Sequence, residues 1–277
     1  MSEHFICTTE NSILTIAINR PERLNALTEA AINEFIGILD QADQNDKVKA
    51  IIVTGTGRGF CAGADLEKGG DTFTDSETPE SEYRDWGGRL TLRIYEMKKP
   101  IIAAINGPAV GVGITMTLPM DIRIASTNAK IGFVFTRRGI APEACSGWFL
   151  PRVVGISKAA EWTLTGRILS SQEALSGGLV SQIVEPDELL PTAVSIAREI
   201  VENTSSISVA LTRQLLWRML GADHPIESHR IESKMIKWLG SQEDAREGVS
   251  SFLEKRLPQF KMKVSEDMPP FYPWWEE

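Results

Sequence analysis

The chain has 277 residues, 29 of them basic and 37 acidic, and its formal net charge of −8 argues against nucleic acid as a main partner. Its 3 cysteines are widely spaced with no Cys-x-x-Cys pair, so we expect neither a disulfide framework nor a metal site. No apolar run approaches the ~18 residues of a membrane span and the N-terminus has no signal-peptide pattern, so we expect a cytoplasmic protein without a membrane partner.

The N-terminal part of the chain is predicted to form a hairpin, a loop, a helix and a strand. Residues 5–9 and 13–18 are strand-like runs joined by a turn at residues 10–12. The next loop carries Arg20 and Arg23, which are either solvated charges or contacts for an anion. Thr28 can cap the helix that follows, because apolar residues recur there with helical spacing. Residues 50–54 are apolar enough for a strand buried on both faces.

The chain then repeats one structural unit, which consists of a buried strand, a glycine-rich turn and a short helix. In the first copy the turn at residues 55–59 leads into a helix candidate at residues 60–66. In the second copy the strand at residues 101–105 is followed by a turn with Gly111 and Gly113 and a helix candidate at residues 114–118. Each unit can direct a backbone N–H into a shared space. Two such donors would stabilise an oxyanion formed from a carbonyl group.

A polar segment follows the first unit, and a strand and an acidic residue before an apolar helix follow the second. Residues 67–84 are polar and are predicted to form a mobile loop. After a strand at residues 121–125, Glu143 follows a proline and precedes an apolar helix candidate at residues 144–154. Taken alone, an acid at this place is more typical of a helix N-terminus than of a catalyst. Asp121 is expected to anchor a turn.

Helices dominate the C-terminal third. They are predicted at residues 158–165, 171–176, 187–202 and 209–220, with a last strand at residues 180–184. Ser241 and Asp244 have the spacing of a capping box for a further helix. Residues 269–275 are rich in proline and aromatic side chains, which predicts that this tail docks on its own subunit or on a neighbour.

Four short motifs, taken together, are far more informative about the family than any one of them alone. They are Asn-Ala-Leu at residues 25–27, Phe-Cys-Ala-Gly-Ala-Asp-Leu at 60–66, Ala-Ala-Ile-Asn-Gly at 103–107 and Asp-Ile-Arg-Ile-Ala at 121–125. In order and spacing they resemble the enoyl-CoA hydratase/isomerase (crotonase) family over about residues 13–260. The resemblance implies an α/β fold. Residues 1–200 would form a crotonase-like spiral of strand-strand-helix repeats, and residues 201–277 a C-terminal helical trimerisation region with the aromatic tail. It also implies a homotrimer or a dimer of trimers.

The resemblance further implies an acyl-CoA thioester as substrate and no separate cofactor, because coenzyme A is part of the substrate. The oxyanion hole would be the backbone N–H groups of Ala64 and Val112, although many relatives have glycine where Val112 stands. The residues implied to contact substrate or coenzyme A are Arg23, Ala62, Asp65, Leu66 and Lys255.

The catalytic carboxylates depart from the pattern of the family's hydratases, which carry two glutamates. Thr115 stands at the first position, and Phe135 or another non-acidic residue stands near the second. Glu143 remains, in a segment that resembles the Pro-Glu or Pro-Asp segment of members that move a double bond, where the carboxylate shuttles the proton. We therefore expect an enoyl-CoA isomerase that works with one carboxylate. The alternatives are a 2-enoyl-CoA hydratase and an acyl-CoA-binding protein without turnover.

Nucleophilic catalysis by a serine or a cysteine is not expected. The chain has no Gly-x-Ser-x-Gly elbow, and its 3 histidines lie outside the glycine turns, so a Ser-His-Asp hydrolase is disfavoured. No basic neighbour is evident for Cys61 or Cys145, and we expect both to be inert thiols.

Overall fold

The computed structural model describes residues 3–275, which form a mixed α/β protein as predicted. The strands are β1 (Phe5–Glu10), β2 (Ile13–Ile18), β3 (Ala50–Gly55), β4 (Ile101–Ile105), β5 (Ala109–Val110), β6 (Ile122–Ser126), β7 (Lys130–Gly132), β8 (Ile168–Ser170) and β9 (Gln182–Val184). The helices are α1 (Glu29–Gln44), α2 (Trp86–Glu96), α3 (Val112–Thr115), α4 (Ser146–Thr165), α5 (Ser171–Ser176), α6 (Leu189–Asn203), α7 (Ser206–Met219), α8 (Pro225–Leu239) and α9 (Glu243–Glu254). Among these residues, no helix is long and apolar enough to cross a membrane.

The main sheet has six strands in the order β1-β2-β3-β4-β6-β9, and β5, β7 and β8 form a smaller sheet. The predicted β1–β2 hairpin is confirmed as an antiparallel pair, whereas the other neighbours in the main sheet are parallel. Because β3 and β4 run parallel and are paired, the glycine-rich turns that follow them leave the same edge of the sheet. The fold therefore brings the two repeated units together.

Both faces of the central strands are buried, as their apolar sequences predict. Ile51, Val53 and Ala103 face the larger core, which also contains side chains of α1 and α2. Ile52 and Ala104 face a second cluster that α6 covers. This alternation follows from the two-residue period of a strand. The predicted helix cap at Thr28 is confirmed, since its Oγ1 accepts a hydrogen bond of 3.2 Å from the N–H of Ala31.

Three predictions about helix starts are wrong. Residues 60–66 contain no helix, because Gly63 has φ +105° and Ala64 pairs with Leu27 in a β-bridge, which takes the backbone hydrogen bonds that a helix would need. The helix predicted from residue 144 begins at Ser146 and continues to residue 165 through a bend at Gly155. The capping box before α9 does not form, because Asp244 instead accepts from the hydroxyl of Ser205.

The aromatic tail docks on its own subunit, one of the two outcomes predicted. Phe271, Tyr272 and Trp274 pack against a C-terminal apolar cluster that α7 and α8 contribute. The guanidinium carbon of Arg218 on α7 lies 3.3 Å from the ring centroid of Trp275, which is a cation–π contact.

Asp121 joins the sheet to the C-terminal helices, which is more than the turn that the sequence predicted. One carboxylate oxygen accepts from the N–H of Ile101 at 2.7 Å and from Nε of Arg213 at 2.9 Å. The other oxygen accepts from the indole N–H of Trp217 at 2.8 Å. The Arg213 side chain is only 3% exposed and donates its remaining hydrogen bonds to four backbone carbonyls. Asp121 is thus the counter-charge of a buried guanidinium.

Replacing Asp121 with asparagine should destabilise the fold by about 3 kcal/mol, because a buried charge loses its partner. The free energy of unfolding from denaturant titration measures this loss. The control is Glu202→Gln, which removes the exposed pair with Arg198 and should cost less than about 0.5 kcal/mol. Equal, small losses in both variants would show that the carbonyl groups alone compensate Arg213.

Candidate active site

A cavity of about 1060 Å³ opens beside the two glycine-rich turns. Its wall includes Ala64 from the first turn, Val112 from the second, and Glu143. The polar loop at residues 67–84 and the start of α2 close another side. The cavity is large enough for a drug-sized ligand and combines apolar side chains with a few polar groups, as small-molecule sites do.

The two turns touch each other through their backbones. The carbonyl of Cys61 accepts from the N–H of Val110 at 3.0 Å. A Cβ at Gly113 would overlap the Cys61 carbonyl, and a Cβ at Gly63 would come within 2.9 Å of the carbonyl of Val110. Glycine is therefore required at both places for the turns to approach this closely.

Two backbone N–H groups at this contact are free. Within residues 3–275, the N–H groups of Ala64 and Val112 have no hydrogen-bond acceptor, while the neighbouring Asp65 N–H donates to Leu27. Val112 is the first residue of α3, where N–H groups have no partner inside the helix. Both residues line the cavity, so both donors are available to an oxygen atom of a ligand.

The Glu143 carboxylate lies in the same cavity, held by α2 and α3. Its Oε1 accepts a hydrogen bond of 2.8 Å from Oγ1 of Thr115, the last residue of α3. Its Oε2 occupies the space above Gly87 where a side chain would otherwise stand. The carboxyl group of Asp85 lies nearby, since its Oδ1 accepts a hydrogen bond of 3.0 Å from the N–H of Ala144, the residue after Glu143. Glu143 therefore faces the site and makes no cap for α4, in contrast to the reading as a helix N-terminal acid.

The backbone after Glu143 is strained. Ala144 and Cys145 have φ of +58° and +53°, values that residues with a side chain seldom adopt. Asp85 holds this turn by accepting from the N–H of Ala144 at 3.0 Å, and Thr91 donates to the Ala144 carbonyl at 3.0 Å. Strained positions that neighbours hold in this way cluster at functional sites.

The pKa of Glu143 is raised to about 8, mainly by burial; the hydrogen bond from Thr115 lowers it and the nearby Asp85 carboxyl raises it. Burial thus outweighs the groups that favour the ionised form. A carboxyl with a pKa near neutrality can both take up and release a proton at physiological pH, as a general acid–base requires. The Cys61 thiol is inert by comparison, since burial raises its pKa to about 12.

Of the other residues that the resemblance implies as substrate or coenzyme A contacts, some line the cavity and some do not. Ala62 and Leu66 line the cavity. The Asp65 carboxylate is paired with Arg20 at 2.9 Å and fastens the first turn to the preceding loop. Arg23 is half-exposed near Glu67, and Lys255 is exposed at the end of α9, so neither contributes to the cavity wall of a single subunit.

Asp85 and Gly87 were not identified from the sequence. Their signal was present, because Asp85 stands three residues before Gly88 and its side chain caps α2 with a hydrogen bond of 2.6 Å to that N–H. The polar loop predicted for residues 67–84 stops just before Asp85, and no element is predicted from the sequence for residues 85–96. The helix that follows, with buried Leu90 and Ile94, was therefore missed.

Comparisons with known proteins agree on one family. A family model described as enoyl-CoA hydratase/isomerase matches residues 8–263. A protein named enoyl-CoA hydratase from Alternaria alternata is 43% identical over 257 residues, which are 92% of this chain and 85% of that protein. The 1,2-epoxyphenylacetyl-CoA isomerase of Escherichia coli is 32% identical over 273 residues, which are 95% of this chain and 100% of the relative.

Among solved structures, a probable enoyl-CoA hydratase/isomerase from Mycobacterium abscessus superposes with a TM-score of 0.87 at 28% identity, covering 94% of this chain and 99% of that one. The shared fold includes the spiral of strands and helices and the helical C-terminal region. The chain is therefore an enzyme of the enoyl-CoA hydratase/isomerase family, the crotonase family.

Proposed function

We propose that this enzyme moves the double bond of a 3-enoyl-CoA to the 2 position, with Glu143 as the proton shuttle. The observation that carries the proposal is a buried carboxyl with a pKa of about 8 in the cavity that two free backbone N–H groups also line. Thr115, at the place of the first hydratase glutamate, donates a hydrogen bond to this carboxyl and supplies no second acid.

In the proposed reaction the thioester oxygen accepts hydrogen bonds from the N–H groups of Ala64 and Val112. These bonds stabilise the enolate that forms when the Glu143 carboxylate removes a proton from C2, and each such donor typically contributes about 3 kcal/mol in the transition state. The same proton then passes from the Glu143 carboxyl to C4, so that the double bond ends between C2 and C3. The enzyme returns to its initial state without another reactant.

A 2-enoyl-CoA hydratase is the second candidate. It is favoured by the name of the relative at 43% identity and by Asp85, which places a second carboxyl next to Glu143. Hydration needs one group to activate water and another to protonate the neighbouring carbon. The third candidate, an acyl-CoA-binding protein without turnover, gives no role to the raised pKa of Glu143.

Contacts to coenzyme A are proposed for Arg23 and Lys255 from the resemblance. Neither lines the cavity within one subunit, so Lys255 would act in a neighbouring subunit's site. This arrangement requires the trimer or dimer of trimers that the sequence predicts. Exposed apolar side chains of α9 and the following turn support assembly, since Val249, Phe252, Leu253 and Leu257 are between 62% and 81% exposed.

Replacing Glu143 with glutamine should lower kcat for 3-enoyl-CoA by about 10²–10⁴-fold, because glutamine keeps the shape but cannot accept a proton. In the wild type, kcat/KM should rise with pH and level off above about 8, because only the ionised Glu143 can act as the base. Affinity for a non-reactive acyl-CoA should change little. A glutamine variant with the wild-type rate would exclude the shuttle role.

Product analysis with 3-enoyl-CoA and 2-enoyl-CoA separates the three candidates. An isomerised product supports the proposal, and a hydrated product supports the second candidate. Binding of both compounds without turnover over several chain lengths would support the third.

Replacing Gly87 with alanine should abolish most turnover and leave the fold intact. The added methyl group would displace Oε2 of Glu143, which is the movable end of a flexible side chain. We expect a loss of kcat about as large as in the glutamine variant, roughly 10² or more. The control is Gly37→Ala in α1, where nothing lies within 4 Å of the new methyl group, and it should keep full activity. Full activity of the Gly87 variant would show that the Glu143 carboxylate works from another position.

Light scattering over a range of concentrations should show a trimer or a hexamer. Replacing Phe252, which is 81% exposed in the single chain, with glutamate should shift the equilibrium towards monomer, because a charge would be buried in the contact. A wild-type protein that remains monomeric would refute the assembly and would remove Lys255 from the site.

A further inference from the structure

We propose that Arg138 binds a carboxylate at the far end of the acyl group, so that the enzyme prefers acyl-CoA thioesters whose acyl part carries an acid. The inference rests on the acyl-CoA substrate of the proposed function but not on the position to which the double bond moves.

Arg137 and Arg138 are neighbours in the sequence, but the fold uses them differently. Nε of Arg137 donates to the carbonyl of Thr165 at 2.8 Å and so joins its segment to the end of α4. Arg138 is exposed, and within residues 3–275 its guanidinium has no hydrogen-bond acceptor and no ion-pair partner. Its N–H donors are therefore free to bind an anion.

The local backbone directs Arg138 towards the cavity. Residues 135–138 form a single turn of 3-10 helix, in which side chains three residues apart lie on the same side. Arg138 therefore projects from the side that carries Phe135, and both residues line the cavity. The turn is held to α4, because the hydroxyl of Thr136 donates to the carbonyl of Thr163 at 2.9 Å.

The cavity wall contains three other cationic side chains, Lys68, Arg84 and Arg89. Arg84 donates to two carbonyl groups of its own loop. Arg89 donates to Oδ1 of Asn33 at 2.8 Å and lies 3.6 Å from a carboxylate oxygen of Glu29. Lys68 belongs to the polar loop at residues 67–84, in which acidic residues outnumber basic ones. Arg138 lies outside this loop and is the wall cation best placed to select an anion.

The position of Arg138 along the wall indicates which part of the substrate it meets. Residues of the segment 134–143 line one side of the cavity, and Glu143 is among them. In the proposed reaction Glu143 works on C2 and C4, so this side borders the acyl chain. Phe135 and Ile140 offer apolar contacts to the chain, and Arg138 supplies a cation beside them.

A carboxylate at the end of the chain fits Arg138 in charge and in shape. A guanidinium binds a carboxylate through two parallel hydrogen bonds, which a methyl end of the chain cannot accept. Arg138 would thus give the apolar side of the cavity a preference for an acidic acyl group.

The test compares two 3-enoyl-CoA thioesters of equal chain length, one ending in a carboxylate and one in a methyl group, over several lengths. For the wild type we expect kcat/KM to be about 10-fold higher for the carboxylate-ended compound at the best length, which is the typical effect of a hydrogen bond to a charged group. In Arg138→Gln the ratio of the two values should fall to about one, because the charge is gone. Arg138→Lys keeps the charge and loses the paired donors, so its ratio should lie between the two.

Arg198→Gln is the matched control. It removes an exposed guanidinium of α6 that does not line the cavity, and it should keep the wild-type ratio. A phosphate of coenzyme A is the other anion that Arg138 could contact. In that case Arg138→Gln would weaken both thioesters equally and would not affect the corresponding pantetheine thioesters, which lack these phosphates. Equal weakening of both thioesters, or a wild-type ratio of about one, would overturn the proposal.

Calorimetry with saturated acyl-CoA thioesters separates this inference from the proposed function. The carboxylate-ended compound should bind to the wild type about 10-fold more tightly than the methyl-ended compound, and Arg138→Gln should bind both alike. This binding preference in a protein without isomerase activity would keep the Arg138 site and refute the proposed function. Isomerase activity without the preference would refute the Arg138 site alone.

Discussion

The contact between two glycine-rich turns is the constraint on which this site depends. Each turn leaves the same edge of the main sheet, and a side chain at Gly63 or Gly113 would collide with a carbonyl of the other turn. Among the residues that the structure describes, 3–275, none accepts a hydrogen bond from the N–H groups of Ala64 and Val112 at the cavity. An unsatisfied N–H costs free energy when it is buried, so an open cavity at which a ligand or water can accept the bond makes this arrangement tolerable.

The placement of Glu143 depends on a different set of contacts. The residue is held on one side by Thr115 and on the other by the start of α2, where glycine at position 87 leaves room for the carboxylate. The two positive φ values that follow it are held by Asp85 and Thr91. A polar side chain is thus kept in a buried position at the expense of local backbone strain, and the raised pKa is the electrostatic result.

The contact between Thr115 and Glu143 gives a structural role to the residue at which the chain departs from the hydratase pattern. Thr115, which the resemblance places where the family's hydratases carry a glutamate, donates a hydrogen bond to Glu143 and so ties α3 to the segment before α4. The same fold carries relatives that are named hydratases and relatives that are named isomerases, so the fold alone does not decide the reaction.

The sequence alone determined the α/β architecture, because apolar runs such as residues 50–54 and 101–105 are recognisable as strands buried on both faces. Four sequence motifs also indicated the family. The resemblance to that family, more than any local pattern, made Glu143, Ala64 and Val112 the candidate site residues. The sequence did not reveal Asp85 or Gly87, because their importance lies in a contact with Glu143, more than fifty positions away. It also predicted a helix at residues 60–66, where pairing with residues 25–27 prevails over the local pattern. Only the tertiary structure decided these features, because they depend on which backbone groups and carboxyls the fold brings together, and no local pattern encodes that distance.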